Sequence, residues 1–223
     1  MNFARIRFPV LLAALFLSGC SRLPLPKMPT FVSHPAPTVH TYSPVNFSAG
    51  PALPVDVRRV VLLPLDRAGH ATPEIARELD AIVLAALQKE MRFEVVTLSR
   101  AECRRTFGAE SFNSTAALPR GFTERITREL AADALLFVDL TAHRSQRPLM
   151  LGLRAKLATA DGKQLLWTFD EIVDASSPIV AKAVQDHFKD TTAKFQLGDA
   201  ALRSPSRFAA FSAAAMFSTL PPR

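Results

Sequence analysis

Apolar and polar positions along the chain fall into runs of two kinds, one with the period of a strand and one with the period of a helix. Val60–Val61–Leu62–Leu63–Pro64–Leu65 is a short, β-branched apolar run, the mark of a strand buried on both faces. Thr72 then offers an N-cap, and Pro73 occupies the first helical position, where a missing N–H costs least. Beyond it Ile75, Leu79, Ile82, Val83, Ala86 and Leu87 recur as one helical stripe, and Phe93–Leu98 reads as a second strand. This is a βαβ unit.

After a less regular stretch from Ser99 to Arg120, holding one short helix and a polar loop, the stripe Phe122, Ile126, Leu130 predicts another helix. On that helix Glu124–Arg128 and Arg125–Glu129 are spaced as ion pairs. Ala134–Thr141 is a third apolar strand. Leu149, Leu151, Leu153 and Leu157 alternate with Arg154 and Lys156, Asp161–Gly162 turns the chain, and Leu165–Trp167–Phe169 returns antiparallel. Ser177–Pro178 and Ser204–Pro205 repeat the cap-then-proline start and open two further helices, the last alanine-rich and carrying Phe208, Phe211 and Met216. The pattern predicts one α/β (α+β) domain over residues 56–223, a mixed sheet of roughly five strands flanked by helices.

The amino-terminal quarter follows neither period. Arg5 and Arg7 precede an apolar run from Phe8 to Leu17 of signal-peptide length, too short to span a bilayer. The run ends in Leu17–Ser18–Gly19–Cys20, which matches the lipobox of bacterial lipoproteins. The match implies that residues 1–19 are a signal peptide, removed at that bond, and that Cys20 carries lipid. Several acyl chains on one residue, at about 0.8 kcal/mol per buried CH₂, make a lasting anchor. Ser21 stands where an aspartate retains lipoproteins at the inner membrane in well-studied proteobacteria, so the expected location is the outer membrane, facing the periplasm. Residues 21–55 then hold eight prolines and no acidic side chain, which predicts a tether over 20–55 able to reach about 100 Å at roughly 3.1 Å per residue. The alternative is that part of it, around Val39–Phe47, lies along the domain as an edge segment.

Charge alters this picture little. Four of the 27 basic residues and none of the 20 acidic ones precede Asp56, leaving the folded part a surplus of only +3. A nucleic-acid groove concentrates far more positive charge on one face, so no nucleic-acid partner is expected. The second cysteine, Cys103, lies between Glu102 and Arg104–Arg105. It is either a packed filler or a thiol activated by neighbouring cations.

Candidate chemistry is sparse. No phosphate-cradling glycine loop and no Gly-x-Ser-x-Gly elbow occurs, and His34, His40, His70, His143 and His187 show no ligand spacing, so neither a cofactor nor a metal is expected. His187 sits at the edge of an apolar helical face and reads as a packed histidine. Asp139, mid-strand among hydrophobes, is either a perturbed carboxylate or a residue that faces the wet side or pairs with Arg144 or Lys156. Asp66 follows the first strand, where α/β folds often bind ligands.

The opening Val-Val-Leu-Leu-Pro-Leu and the third strand Ala-Asp-Ala-Leu-Leu-Phe-Val, with the order of elements between them, resemble three related α/β lipoprotein domains over about residues 56–195. These are the curli-secretion (CsgG-like) lipoproteins, the penicillin-binding-protein activator (LpoB-like) lipoproteins, and the N-terminal domain of TolB. The resemblance implies envelope scaffolding and protein binding rather than catalysis, and no functional residue transfers position by position. The chain departs from the pore-forming members, because the connection at Ser145–Pro148 is too short to hold a bilayer-crossing hairpin. The expectation is a lipid-anchored envelope protein acting as a non-catalytic protein-binding or assembly factor. A periplasmic enzyme using Asp66, Asp139 or Cys103, and a secretion-channel subunit, are the competing readings.

Overall fold

The computed structural model describes residues 41–189 and 197–223. The segment read as a signal peptide (1–19), Cys20 and residues 21–40 of the expected tether lie outside them. Six strands form one sheet: β1 (Phe47–Ala49), β2 (Arg59–Leu62), β3 (Glu94–Thr97), β4 (Ala134–Arg144), β5 (Met150–Thr159) and β6 (Leu165–Asp174), in the order β1-β6-β5-β4-β2-β3. β2 lies parallel to both β3 and β4, whereas β4-β5-β6-β1 is antiparallel throughout. The α/β class and the mixed sheet are as the pattern predicts.

Helices cover both faces of the parallel part. On one side α1 (Pro73–Lys89), α4 (Pro178–His187) and α6 (Pro205–Phe217) join a core with Val60, Leu62, Leu136, Val138, Leu140, Leu153, Trp167 and Phe169. On the other, α2 (Arg100–Phe107) and α3 (Phe122–Leu130) pack with Val61, Leu63, Leu135 and Phe137. This division follows the strand period of two, which sends Leu135 and Phe137 to one face and Leu136 and Val138 to the other. α5 (Leu197–Ala201) is a single turn-sized helix before α6.

Most of the local signals hold, although Ser177 precedes Pro178 at the start of α4 without a side-chain cap bond. Thr72 caps α1 by accepting from the Ile75 N–H at 3.4 Å. Leu79, Val83, Ala86 and Leu87 are buried on its inner face, with Ile75 and Ile82 partly buried beside them. Gly162, at φ 72°, supplies the left-handed residue of the β5–β6 turn. The Arg125–Glu129 pair forms at 2.9 Å. Its expected companion does not: Glu124 accepts from the Thr123 hydroxyl instead of pairing with Arg128.

The sheet has six strands rather than five because β1 comes from the stretch assigned to the tether. Prolines exclude a central strand but not an edge. Glu171 on β6 draws the segment in, accepting from the Tyr42 hydroxyl (3.2 Å) and from the N–H groups of Val45 (2.9 Å) and Asn46 (3.3 Å). The Asn46 amide donates to the Asp170 carbonyl at 2.5 Å. The alternative of an edge segment is therefore the one adopted over residues 42–49. Further along, the Leu53 N–H donates to the Pro222 carbonyl at 2.8 Å, and Arg223 donates to the carbonyl of Val57 at 2.7 Å and to that of Arg92. The two ends of the folded part thus close on each other.

Candidate functional site

The two carboxylates singled out in the sequence meet. β2 continues past Leu62 as an extended segment, and Asp66 forms an isolated parallel bridge with Asp139 of β4. The Asp66 N–H donates to the Val138 carbonyl (2.8 Å), and the Leu140 N–H donates to the Asp66 carbonyl (2.7 Å). Over this bridge folds the loop between α2 and α3. Ser111 Oγ and Asn113 Nδ2 donate to the two carboxylate oxygens of Asp66, each at 3.0 Å. The Ser114 N–H (3.0 Å) and hydroxyl (2.5 Å) donate to Asp139. Lys156 Nζ donates to the Ser114 carbonyl at 2.9 Å.

Asp139 is 1% exposed, and burial pushes its carboxyl above the ordinary range. The two Ser114 hydrogen bonds pull the other way, Asp66 raises it again, and Arg154 lowers it. It neither faces solvent nor pairs with Arg144 or Lys156, contrary to those expectations. Arg144 instead reaches Asp174 (3.1 Å), because its position near the end of β4 faces the start of β5 and the end of β6. Lys156 is taken by the loop backbone. The hydroxyl of Ser114 faces a carboxylate, but the nearby lysine bonds its carbonyl oxygen rather than its hydroxyl. The bonds of the cluster are those of a loop pinned onto strand ends.

A second feature adjoins it. Between α1 and α2, over the carboxyl ends of β2 and β3, lies a crevice of about 590 Å³. Asp80 of α1 and Arg100 of α2 bridge its base: Asp80 accepts from the Leu65 N–H (2.8 Å) and from Arg100 Nε (2.7 Å) and Nη2 (3.0 Å). The same Arg100 Nη2 donates to the Leu65 carbonyl at 2.7 Å. This fork ties both helices to the end of β2. Sequence reasoning missed it, since Asp80 and Arg100 are twenty residues apart on different helices; the only signal available was an acidic side chain beside the apolar stripe of α1.

Cys103 resolves as the filler. It is fully buried on the inner face of α2, and burial, with Glu102 adding, pushes its thiol up to about 11. Arg100 opposes this, but burial outweighs it. His187 is packed edge-on against Phe188 and Phe211, at ring distances of 4.8 and 5.5 Å, and burial holds its pKa below the usual value, with Lys89 adding to the effect. Burial also lowers His143. Among the described residues no cluster of three or more His, Cys, Asp or Glu is placed to hold a metal ion, and no helix is long and apolar enough to cross a membrane. Leu17, Ser18, Gly19 and Cys20 lie outside the described residues.

No protein-family model matches the chain, and no curated protein does. Solved structures that it is similar to include a PelC dodecamer from Paraburkholderia phytofirmans, at 14% identity and a TM-score of 0.47, covering 79% of this chain and 96% of that one. A lipoprotein from Neisseria meningitidis is 13% identical at a TM-score of 0.42, covering 58% and 94%. The LpoB C-terminal domain from Escherichia coli is 16% identical at 0.36, covering 52% and 82%. Of the three resemblances drawn from the sequence, the LpoB-like one returns here. Similarity at this level does not carry function from one chain to another.

Proposed function

We propose that the chain is a bacterial cell-envelope lipoprotein, cleaved before Cys20, lipidated there, and held at the outer membrane facing the periplasm. Its folded domain acts as a non-catalytic protein-binding or assembly factor. The observation that carries this reading is the sequence Leu17–Ser18–Gly19–Cys20 placed directly after the apolar run of Phe8–Leu17. The structure adds support of a different kind for a protein partner. Among the described residues β1 is an edge strand of three residues; Phe47 within it (43%), Val45 before it (82%) and Ile172 on β6 (53%) are exposed apolar side chains. A sheet edge unpaired among the described residues, with apolar neighbours, is an arrangement that strand-adding partners use. The polar groups around Asp66 and Asp139 are occupied in holding the α2–α3 loop, which favours binding over catalysis.

The test has two parts. Cys20→Ser expressed in a proteobacterial host abolishes processing behind Gly19 and releases the chain from the membrane fraction. Unchanged cleavage and fractionation would refute the anchor. Affinity capture from intact envelopes then recovers a protein partner with the full chain and loses it when residues 56–223 are deleted but Cys20 is kept. Equal recovery from both would refute the adaptor role.

A further inference from the structure

The crevice between α1 and α2 lies where open α/β sheets take ligands, outside the carboxyl ends of parallel strands whose connecting helices leave to opposite faces. Its volume of about 590 Å³ falls inside the span of roughly 300–1,000 Å³ typical of small-molecule sites. The apolar side chains that reach its surface are Pro73, Ala81 and Leu84 from α1, Leu98 after β3 and Ala101 from α2, with no aromatic side chain lining it. A flat ring or a base would find no stacking partner there, whereas a flexible hydrocarbon chain would meet apolar surface on both sides.

Charge selects the other end of the ligand. Asp80 and Arg100 neutralise each other in the fork at the base, so neither is free to define a ligand's sign. Three further arginines line the crevice. Arg67 donates only to the Ala71 carbonyl among the described residues, leaving most of its guanidinium donors uncommitted. Arg77 pairs with Glu74 in a solvent-exposed contact that is cheap to exchange. Arg104 is held by Glu110, also at the surface. Arginine forks suit a carboxylate through paired hydrogen bonds.

We propose that this crevice binds a long-chain aliphatic carboxylate, with its hydrocarbon against Leu84 and Leu98 and its head group on Arg67 and Arg77. The activity is separate from the adaptor role above and does not rest on it. The ligand is the free acid: an acyl chain still esterified in a phospholipid has lost the carboxylate that would pair with the arginines.

The experiment is a titration of the full Cys20→Ser chain with a dansyl-labelled undecanoate, followed by displacement. Saturable binding at one site per chain, displaced by palmitate but not by dodecylamine or by phosphatidylglycerol vesicles, is the expected result. Ala81→Trp and Ala101→Trp each place a bulky ring into the crevice from an exposed position on α1 or α2, so the fold is preserved and binding is lost. Arg67→Gln with Arg77→Gln weakens palmitate by about a hundredfold, the scale of two lost charge-assisted hydrogen bonds. Absent or non-saturable binding overturns the proposal. So does probe binding that both tryptophan variants leave unchanged, displacement by dodecylamine as effective as by palmitate, or displacement by the vesicles alone.

Discussion

Replacing Asp139 separates the two roles a buried carboxylate can have. In Asp139→Ala the Ser114 N–H and hydroxyl lose their acceptor in a site that is 1% exposed at the aspartate. A buried donor left unpaired costs about 1–3 kcal/mol, partly offset because the buried charge is gone as well. Asp139→Asn keeps an oxygen for the Ser114 N–H and can donate its amide to the Ser114 oxygen, while removing the charge that burial disfavours. The expected order at pH 7 is therefore Asn at least as stable as the natural residue, with Ala about 1–2 kcal/mol below. The carboxyl is raised in the folded state, so between the unfolded and folded pKa values the native chain binds more protons than the unfolded one, and stability falls as pH rises through that window. Lowering the pH from 7 to below 4 should accordingly erase the advantage of Asn. Urea unfolding reads this directly through Trp167, the single tryptophan, which is buried. A loss above 2 kcal/mol for Asn at pH 7, or a difference between Asn and Asp that ignores pH, would refute the reasoning.

Two further outcomes follow from packing. Gly152 on β5 faces the β4 bulge between Leu140 and Ala142, where an added Cβ would meet Thr141 Oγ1 at 2.5 Å and the Ala142 nitrogen at 2.9 Å. Gly152→Ala should therefore lower stability by about 2 kcal/mol, measured as a shift in urea midpoint, and a neutral result would mean that the bulge yields freely. Cys103, fully buried with its thiol raised to about 11, should react with a disulfide reagent at pH 8 only as fast as the chain opens. In Cys20→Ser it is the only thiol, and labelling at the rate of a free cysteine without urea would contradict its placement.

The elements legible in the sequence were those whose cause lies within a few residues. Thr72–Pro73, the stripe from Ile75 to Leu87, and the Asp161–Gly162 turn each combine a local conformational preference with a local period, and each stands where that combination puts it. The α6 helix, alanine-rich with Phe208, Phe211 and Met216, is packed as its aromatics suggest: Trp167 donates to Thr219 just beyond it at 3.0 Å. The candidate site was half legible. Asp66 and Asp139 were visible as misplaced polarity among hydrophobes, but nothing near either residue in sequence named Ser111, Asn113 and Ser114 as their partners.

The sequence by itself determined the α/β class and the buried stripes of α1 and α3, and it carries the motif from which export and lipid attachment are proposed, because chemistry and periodicity act over a single turn or strand. Only the tertiary structure decided that residues 47–49 join the sheet, that Asp139 is held by a loop rather than by a cation, and that α1 and α2 open a crevice over the strand ends. These depend on hydrogen bonds between residues far apart in the chain, such as Val45 to Glu171 and Ser114 to Asp139, and such a bond is specified by where two backbones meet rather than by either residue's neighbours.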